Sequence, residues 1–300
     1  MAKANRPTNE LKIITINING GFMRKFGKNE DGFLDFINQY DVIMLQETHL
    51  TINNFKEENV GINPNGRTYP TFYSSRERGV AIIINTKHEL IGDSFFNDGN
   101  YIGVRVMIKN RLYIFVSFYY HQNETNELLS QFLDDIRYKH GVRVIGGDFN
   151  VTIKPGLDIK KHNKSHEKRR ETFNPVWLKR YKDVWRYKNP DVAIEKGWTK
   201  STQHTGQLTR LDYFFMNKNH LSLVTNCEIP KDILPTDHRA VQLILTCDEQ
   251  KKEERNDDVK GGEMGDEKLE VEMVEEVKEK KEEEETDEEK LSNLLENLRF

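Results

Sequence analysis

Acids and amides recur in this sequence where apolar runs end. Asn17 lies near the close of "LKIITINI" (11–18), and Glu47 ends "DVIMLQE" (41–47). Asp148 and Asn150 follow "VRVIGG", Asp212 sits inside "RLDYFFMN" (210–217), and Asp237-His238 immediately precedes "AVQLILT" (240–246). If these runs are strands sharing one sheet edge, their polar ends converge on a single pocket of Asn, Glu, Asp, Asn, Asp, Asp and His. Acids that close repel one another unless a cation intervenes. Hard oxygen donors suit Mg²⁺, with Mn²⁺ as the alternative, and a tetrahedral zinc site has neither the histidines nor the cysteines it needs. Such a site favours attack of water on a phosphate ester. No Ser/His/Asp or Cys/His arrangement suggests a covalent nucleophile, and Gly146-Gly147 is not a phosphate-binding P-loop.

Each piece taken singly has a plainer reading. "GGDFN" makes a Gly-Gly turn with an Asx cap, Glu47 a surface acid, "DH" a satisfied turn, and Asp212 a partner for Arg210. The weight lies in their joint recurrence at the ends of strands.

The elements that must position them follow from hydrophobic pattern. Segments 11–18, 41–47, 79–85, 101–108, 111–120, 142–147, 210–217 and 240–246 are rich in β-branched and aromatic residues and are expected to be strands. Lys109-Asn110 is a junction short enough for a hairpin. Helical spacing is expected over 31–40, from Phe33, Phe36, Ile37 and Tyr40, and over 124–140, from Leu128, Leu129, Phe132, Leu133 and Ile136. Strands alternate with helices early and pair as hairpins in the middle, which predicts a mixed α/β domain with sheets covered by helices.

Charge divides the chain. Residues 248–300 carry 22 acidic and 10 basic side chains, net −12, against 27 and 35 in residues 1–247, net +8. A basic body points to a polyanionic partner. The expected organisation is a polar arm (1–10), a folded body (11–247) and an acidic low-complexity tail (248–300). The tail is expected to be disordered apart from a short amphipathic helix at 291–298. Two cysteines in 300 residues form no disulfide framework. With no apolar leader or membrane span in the sequence, an intracellular protein of nucleus or cytoplasm, monomeric and without membrane attachment, is expected.

Together the segments "NING" (17–20), "LQETHL" (45–50), "GVAI" (79–82), "GGDFNV" (146–151), "TRLDYFF" (209–215) and "TDHRAV" (236–241) resemble the endonuclease/exonuclease/phosphatase superfamily. The similarity is greatest to the apurinic-type endonuclease domain of LINE (non-LTR) retrotransposons, and it spans about Leu11 to Thr246. It implies a DNase I-like four-layer sandwich, two packed mixed β-sheets flanked by helices, and a divalent-metal-dependent endonuclease that nicks DNA. It also implies roles: Glu47, Asn17 and Asp237 on the metal side, Asp148 for the attacking water, and Asn150 and His238 on the phosphate, with Asp212 tuning the imidazole. Tyr120 would stand near the leaving oxygen. Here the sequence departs from the family's Tyr-x-Pro-Asn, reading "YHQN" (120–123), and Tyr119 is the alternative. Other superfamily substrates, phosphoinositides included, stay open, as does a non-catalytic nucleic-acid-binding relative.

Between the motifs, residues 154–188 hold 12 Lys and Arg against 4 acids. Lys160, Lys161, Lys168, Arg169 and Arg170 are the expected nucleic-acid contacts, with DNA the expected partner and RNA a further possibility. Trp177, Tyr181, Trp185 and Tyr187 either stack on bases or, as the helical spacing favours, face the core.

Overall fold

The apolar runs become strands because β-branched side chains fill a pleated, doubly covered surface better than a helix. The computed structural model describes residues 9–27, 32–55, 66–85, 89–137, 139–160, 164–202, 204–231 and 236–247. The strands are β1 (Glu10–Asn17), β2 (Val42–Gln46), β3 (Arg67–Pro70), β4 (Val80–Ile84), β5 (Glu89–Asn97), β6 (Tyr101–Ile108) and β7 (Arg111–Tyr119). They continue with β8 (Val142–Asp148), β9 (Tyr181–Asp183), β10 (Lys200–Thr202), β11 (Gln207–Thr209), β12 (Asp212–Asn217), β13 (Val224–Glu228) and β14 (Val241–Thr246). Helices are α1 (Phe22–Gly27), α2 (Phe33–Ile37), α3 (Asn126–Arg137), α4 (Lys164–Trp177), α5 (Val184–Lys188) and α6 (Ile194–Gly197).

Two six-stranded mixed sheets result, ordered β13-β14-β1-β2-β4-β3 and β5-β6-β7-β8-β12-β9, with β10-β11 as a separate pair. Only β1–β2 and β7–β8 run parallel. Between the sheets lies an apolar layer that includes Val42, Met44 and Ile82 from one side and Phe115, Val144 and Phe214 from the other. On the outer face of the first sheet, Ile14, Ile43 and Leu45 meet Phe22, Phe26 and Phe33 of α1 and α2. Outside the second, Ile145 and Phe215 meet Leu129, Phe132, Phe173 and Trp177 of α3 and α4. The layers are helix, sheet, sheet, helix.

One polar crosslink crosses the apolar middle. Gln46, fully buried in β2, donates to Ser117 Oγ of β7 at 2.9 Å, and Ser117 Oγ donates to Leu45 O at 2.9 Å. Each buried polar group thereby finds a partner in the opposite sheet, which fixes how the sheets slide against each other.

The structure shortens the expected helix over 31–40 to Phe33–Ile37 and adds the short pair β10 and β11 together with β3, β5, β9 and β13. Those strands hide in sequence because they lie at sheet edges or carry polar and glycine interruptions, as in "ELIGDSFFN" and "VTNCE". The Lys109-Asn110 turn has φ of 48° and 61°, the paired left-handed geometry of a tight hairpin. Arg210 does not pair with Asp212. Its guanidinium, wholly buried, binds Asp158 and Asp183, with Arg186 completing the cluster on Asp158. Cys227 and Cys247 are buried and unpaired. The described residues fall within one unit, 1–249, and contain no helix long and apolar enough to cross a membrane. Most of the expected arm and the whole acidic tail, with its segment 291–298, lie outside the described residues.

Gly147 shows how tightly β8 is held. A Cβ there would meet Phe118 O of β7 at 1.8 Å, so Gly147→Ala must force two parallel strands apart. Gly156 stands at an open turn with φ of 80° and nothing within 4 Å. In urea unfolding, Gly147→Ala should lose at least about 3 kcal/mol and Gly156→Ala only about 1–2 kcal/mol. Equal losses would refute the strand-contact explanation.

Candidate functional site

Both sheets deliver polar residues to the same edge. In the second sheet, Tyr119, Asp148 and Asp212 stand side by side across three strands, since Tyr119 pairs with Asp148 and Asp148 with Asp212. From the first sheet, Asn17 ends β1 opposite Gln46, and Glu47 follows directly in the chain. Thr236 and His238 enter just before β14, and Thr236 Oγ1 donates to Asn17 O at 2.8 Å. That bond ties the histidine's loop to the end of β1.

The side chains join in one chain of contacts. Asn17 Nδ2 donates both to Glu47 Oε1 at 2.8 Å and to Asp148 Oδ2 at 3.0 Å. Its carbonyl is occupied by the Asn19 N–H. Asp148 also receives the Asn150 N–H at 2.8 Å and lies 3.9 Å from His238 Nε2. On the other side of the ring, His238 Nδ1 meets Asp212 Oδ2 at 2.9 Å. Thr199 Oγ1 accepts the Leu211 and Asp212 N–H groups, which holds Asp212 in place. Asp148, Asp212 and His238 present atoms within 4.8 Å of one another, all buried, a group able to hold a metal ion.

Backbone geometry contributes. Asn19, Glu47, His49 and Asn150 all have positive φ, between 47° and 53°. Left-handed backbone is uncommon for non-glycine residues, and its recurrence beside the polar group marks tight turns there.

Electrostatics follow from the crowding. For Glu47, burial alone would raise the pKa, but hydrogen bonds from His49, Asn17 and Tyr119, with His238 nearby, bring it down to about 2. It is an anion at every relevant pH. For Asp148, burial and then Asp212 drive the pKa well above the carboxylate range, against lowering by His238 and the Asn17 and Asn150 donors. Burial would depress His238, but Asp212 overcomes it and lifts the imidazole to about 9.

The tyrosine expected at the site is corrected. The Tyr120 hydroxyl points to the Glu124 and Thr125 carbonyls, at 3.4 and 3.3 Å, and its ring lies under Arg169. Tyr119 instead donates to Glu47 Oε1 at 2.9 Å. Adjacent strand residues face opposite ways, so only one of the two can enter the cleft. Burial and the Glu47 charge hold the Tyr119 hydroxyl protonated. Asp237 lies at the rim, ion-paired with Lys200, while its Oδ1 is buried without a partner.

The expected basic face also changes. Arg169 spends its guanidinium on the Gln122, Tyr120 and His121 carbonyls, pinning the loop after β7. Arg170 is directed to Thr152 O at 3.5 Å, and Lys160 lies 3.6 Å from Glu195. Lys168 is exposed, and Lys161 lies outside the described residues. Trp177, Tyr181 and Trp185 are core, whereas Tyr187 is exposed. Residues that sequence reasoning missed are His49, 3.5 Å from Glu47, together with Thr199, Thr236 and Lys200. His49 carried a usable signal, standing two positions after Glu47. Thr236 opens the segment "TDHRAV", whereas Thr199 and Lys200 carried no signal, being common polar residues outside the motifs.

A model described as the Endonuclease/Exonuclease/phosphatase family matches residues 14–238. Among solved structures the chain is similar to the AP endonuclease LMAP from Leishmania major, with 15% identity and a TM-score of 0.63, covering 80% of this chain and 89% of that one. Against the 3′ phosphatase NExo from Neisseria, bound to product DNA hairpin, the values are 19%, 0.62, 78% and 98%. Against the endonuclease domain of TRAS1, a telomere-specific non-LTR retrotransposon, they are 15%, 0.55, 79% and 98%. Comparison with curated proteins gives no match.

The His238–Asp212 pair makes a direct prediction. A histidine raised from 6.5 to about 9 stabilises the fold fully below 6.5, and that stability is lost as pH climbs through about 9. NMR titration of the metal-free protein should place His238 near 9, and Asp212→Asn should lower it by about two pH units. An unmoved titration would show that Asp212 does not set the imidazole's charge.

Proposed function

The chain belongs to the endonuclease/exonuclease/phosphatase family, and from that premise we propose that it is a divalent-metal-dependent endonuclease that nicks DNA by attack of water on a phosphodiester. One observation carries the reading: the ends of two sheets bring Glu47, Asn17, Asp148, Asp212 and His238 into a single linked group. The net charge of +8 in the folded body supports a polyanionic substrate.

The donor set fits a hard cation. Two carboxylates, Asp148 and Asp212, flank one imidazole, Glu47 is joined to Asp148 through Asn17, and Asp212 Oδ1 is buried without a partner. Glu47, kept anionic without competition from protons, is the residue best suited to hold the ion, with Asn17 orienting it beside Asp148. Asp237 gives Oδ2 to Lys200, which leaves Oδ1 as the atom it could offer. Mg²⁺ is the expected occupant and Mn²⁺ the alternative. When bound, the cation neutralises charge on the phosphate oxygens and favours ionised carboxylates around it.

Asp148 orients the attacking water and takes its proton, and its burial supplies the raised basicity this needs. His238, cationic because of Asp212, donates from Nε2 to a nonbridging oxygen as negative charge gathers there. The Asn150 amide, held beside Asp148 at 3.3 Å, supports the same oxygens. Tyr119, protonated and donating to Glu47, would turn its O–H to the leaving oxygen once that carboxylate holds the cation.

Purified protein should relax supercoiled plasmid only with Mg²⁺ or Mn²⁺. Asp148→Ala and His238→Ala should each lower the rate by on the order of 10²–10⁴. Tyr119→Phe should cost about tenfold or more, and Tyr120→Phe should leave the rate essentially unchanged. The same enzyme run on abasic duplex, RNA and an inositol polyphosphate assigns the substrate. Preference for the inositol compound, with plasmid untouched at every metal concentration, would overturn the nuclease reading.

A further inference from the structure

A concave pocket of ≈ 350 Å³ opens at the other end of the second sheet. Arg143, Lys179, Arg180, Lys182 and Lys218 line it beside Tyr181, over an apolar floor of Leu133 and Ile136. These cations come from four separate places: the start of β8, the turn after α4, β9, and the residue following β12. The fold assembles them, for Tyr181 pairs with Asn217 and Lys182 with Met216. Among the described residues no ion pair joins Lys179, Arg180, Lys182 or Lys218 to an acid. His220, whose Nδ1 is buried without a partner, adds a further polar group nearby, since burial and then Arg111 and Arg143 depress its pKa.

Arg143 spends Nε and Nη2 on Lys139 O, which leaves Lys179, Arg180, Lys182 and Lys218 as four like charges around one concavity. They repel one another, and a bound polyanion would offset that. The catalytic group stands at Asp148, the far end of β8 from Val142. Six residue steps at about 3.3 Å separate the two ends by about 20 Å. Duplex DNA is stiff over that distance and too broad to enter such a pocket, whereas a single strand bends freely and offers one nucleotide at a time.

We propose that this pocket is a second nucleic-acid site, holding the phosphates of a single-stranded segment that continues from the substrate in the catalytic cleft. The exposed cations take the phosphates, while Leu133 and Ile136 belong to the core beneath them. The assignment rests on the nuclease reading and deepens it. The site recognises strand continuity and not sequence, as phosphate contacts do.

The test compares wild type with the Lys179→Ala/Arg180→Ala/Lys182→Ala/Lys218→Ala variant, all surface changes, by fluorescence anisotropy in EDTA so that no strand is cut. Wild type should bind a duplex carrying a single-stranded tail on the order of tenfold more tightly than the blunt duplex. The variant should lose that preference, and the salt slope for tailed DNA should fall by about 0.7 for each lost phosphate contact. Blunt-duplex affinity and plasmid nicking should not change. Equal tail preference in both proteins overturns the site while leaving the nuclease reading intact. Pocket-dependent tail binding by a wild type that never nicks counts against catalysis alone. Calorimetric titration with inorganic tripolyphosphate is the control. Binding that needs the four cations yet fails to displace tailed DNA would give the pocket to a free phosphate compound and overturn the nucleic-acid assignment.

Discussion

The active edge depends on one side-chain amide. Asn17 donates to Glu47 and Asp148 together, and those carboxylates come from different sheets. Two buried acids aimed at one point repel strongly, and without a shared donor the sheets would separate at this end or one acid would turn away. The amide contributes two N–H groups and no charge, so the site keeps its negative potential while remaining folded. A lysine here would quench that potential, and a leucine would remove the one donor that Glu47 and Asp148 share.

Everything beneath the site keeps that amide in register. Gln46 and Ser117 link the sheets one residue below, and Gly147 lets β7 and β8 approach until their backbones nearly touch. The buried Arg210–Asp158–Asp183 cluster anchors the segment leading into β12, hence Asp212. Burying such ions is expensive, and their retention beside the catalytic edge is consistent with precise placement rather than net stability. Strands carry Asn17, Tyr119, Asp148 and Asp212 of the proposed site. Loops carry only Glu47, Asn150 and His238, and each loop is fastened by a specific hydrogen bond: Gly20 N to Glu47 O, Asn150 N to Asp148 Oδ1, and His238 N to Thr236 Oγ1.

The electrostatic pattern separates the roles of chemically similar groups. Glu47, with several donors, stays an anion, while Asp148, with more burial and a neighbouring acid, gains basicity. Asp212 spends its charge on His238. Three carboxylates thus differ by environment alone, the condition under which acid, base and ligand functions can coexist in a small volume.

By itself the sequence determined the eight strands of strongest apolar pattern and the polar residues that end several of them. Alternation and β-branched runs are local properties, and "LQETHL", "GGDFNV" and "TDHRAV" are contiguous signals of their kind. It could not decide between Tyr119 and Tyr120, because facing depends on which side of β7 meets the other sheet. Nor could it tell that Arg169 serves backbone carbonyls, or that Arg210 answers Asp158 and not Asp212, since charge in a sequence carries no direction. The pocket around Lys179 and Lys218 was illegible for the same reason. Its cations are spread from residue 143 to residue 218, and only the pairing of β9 with β12 brings them to one place.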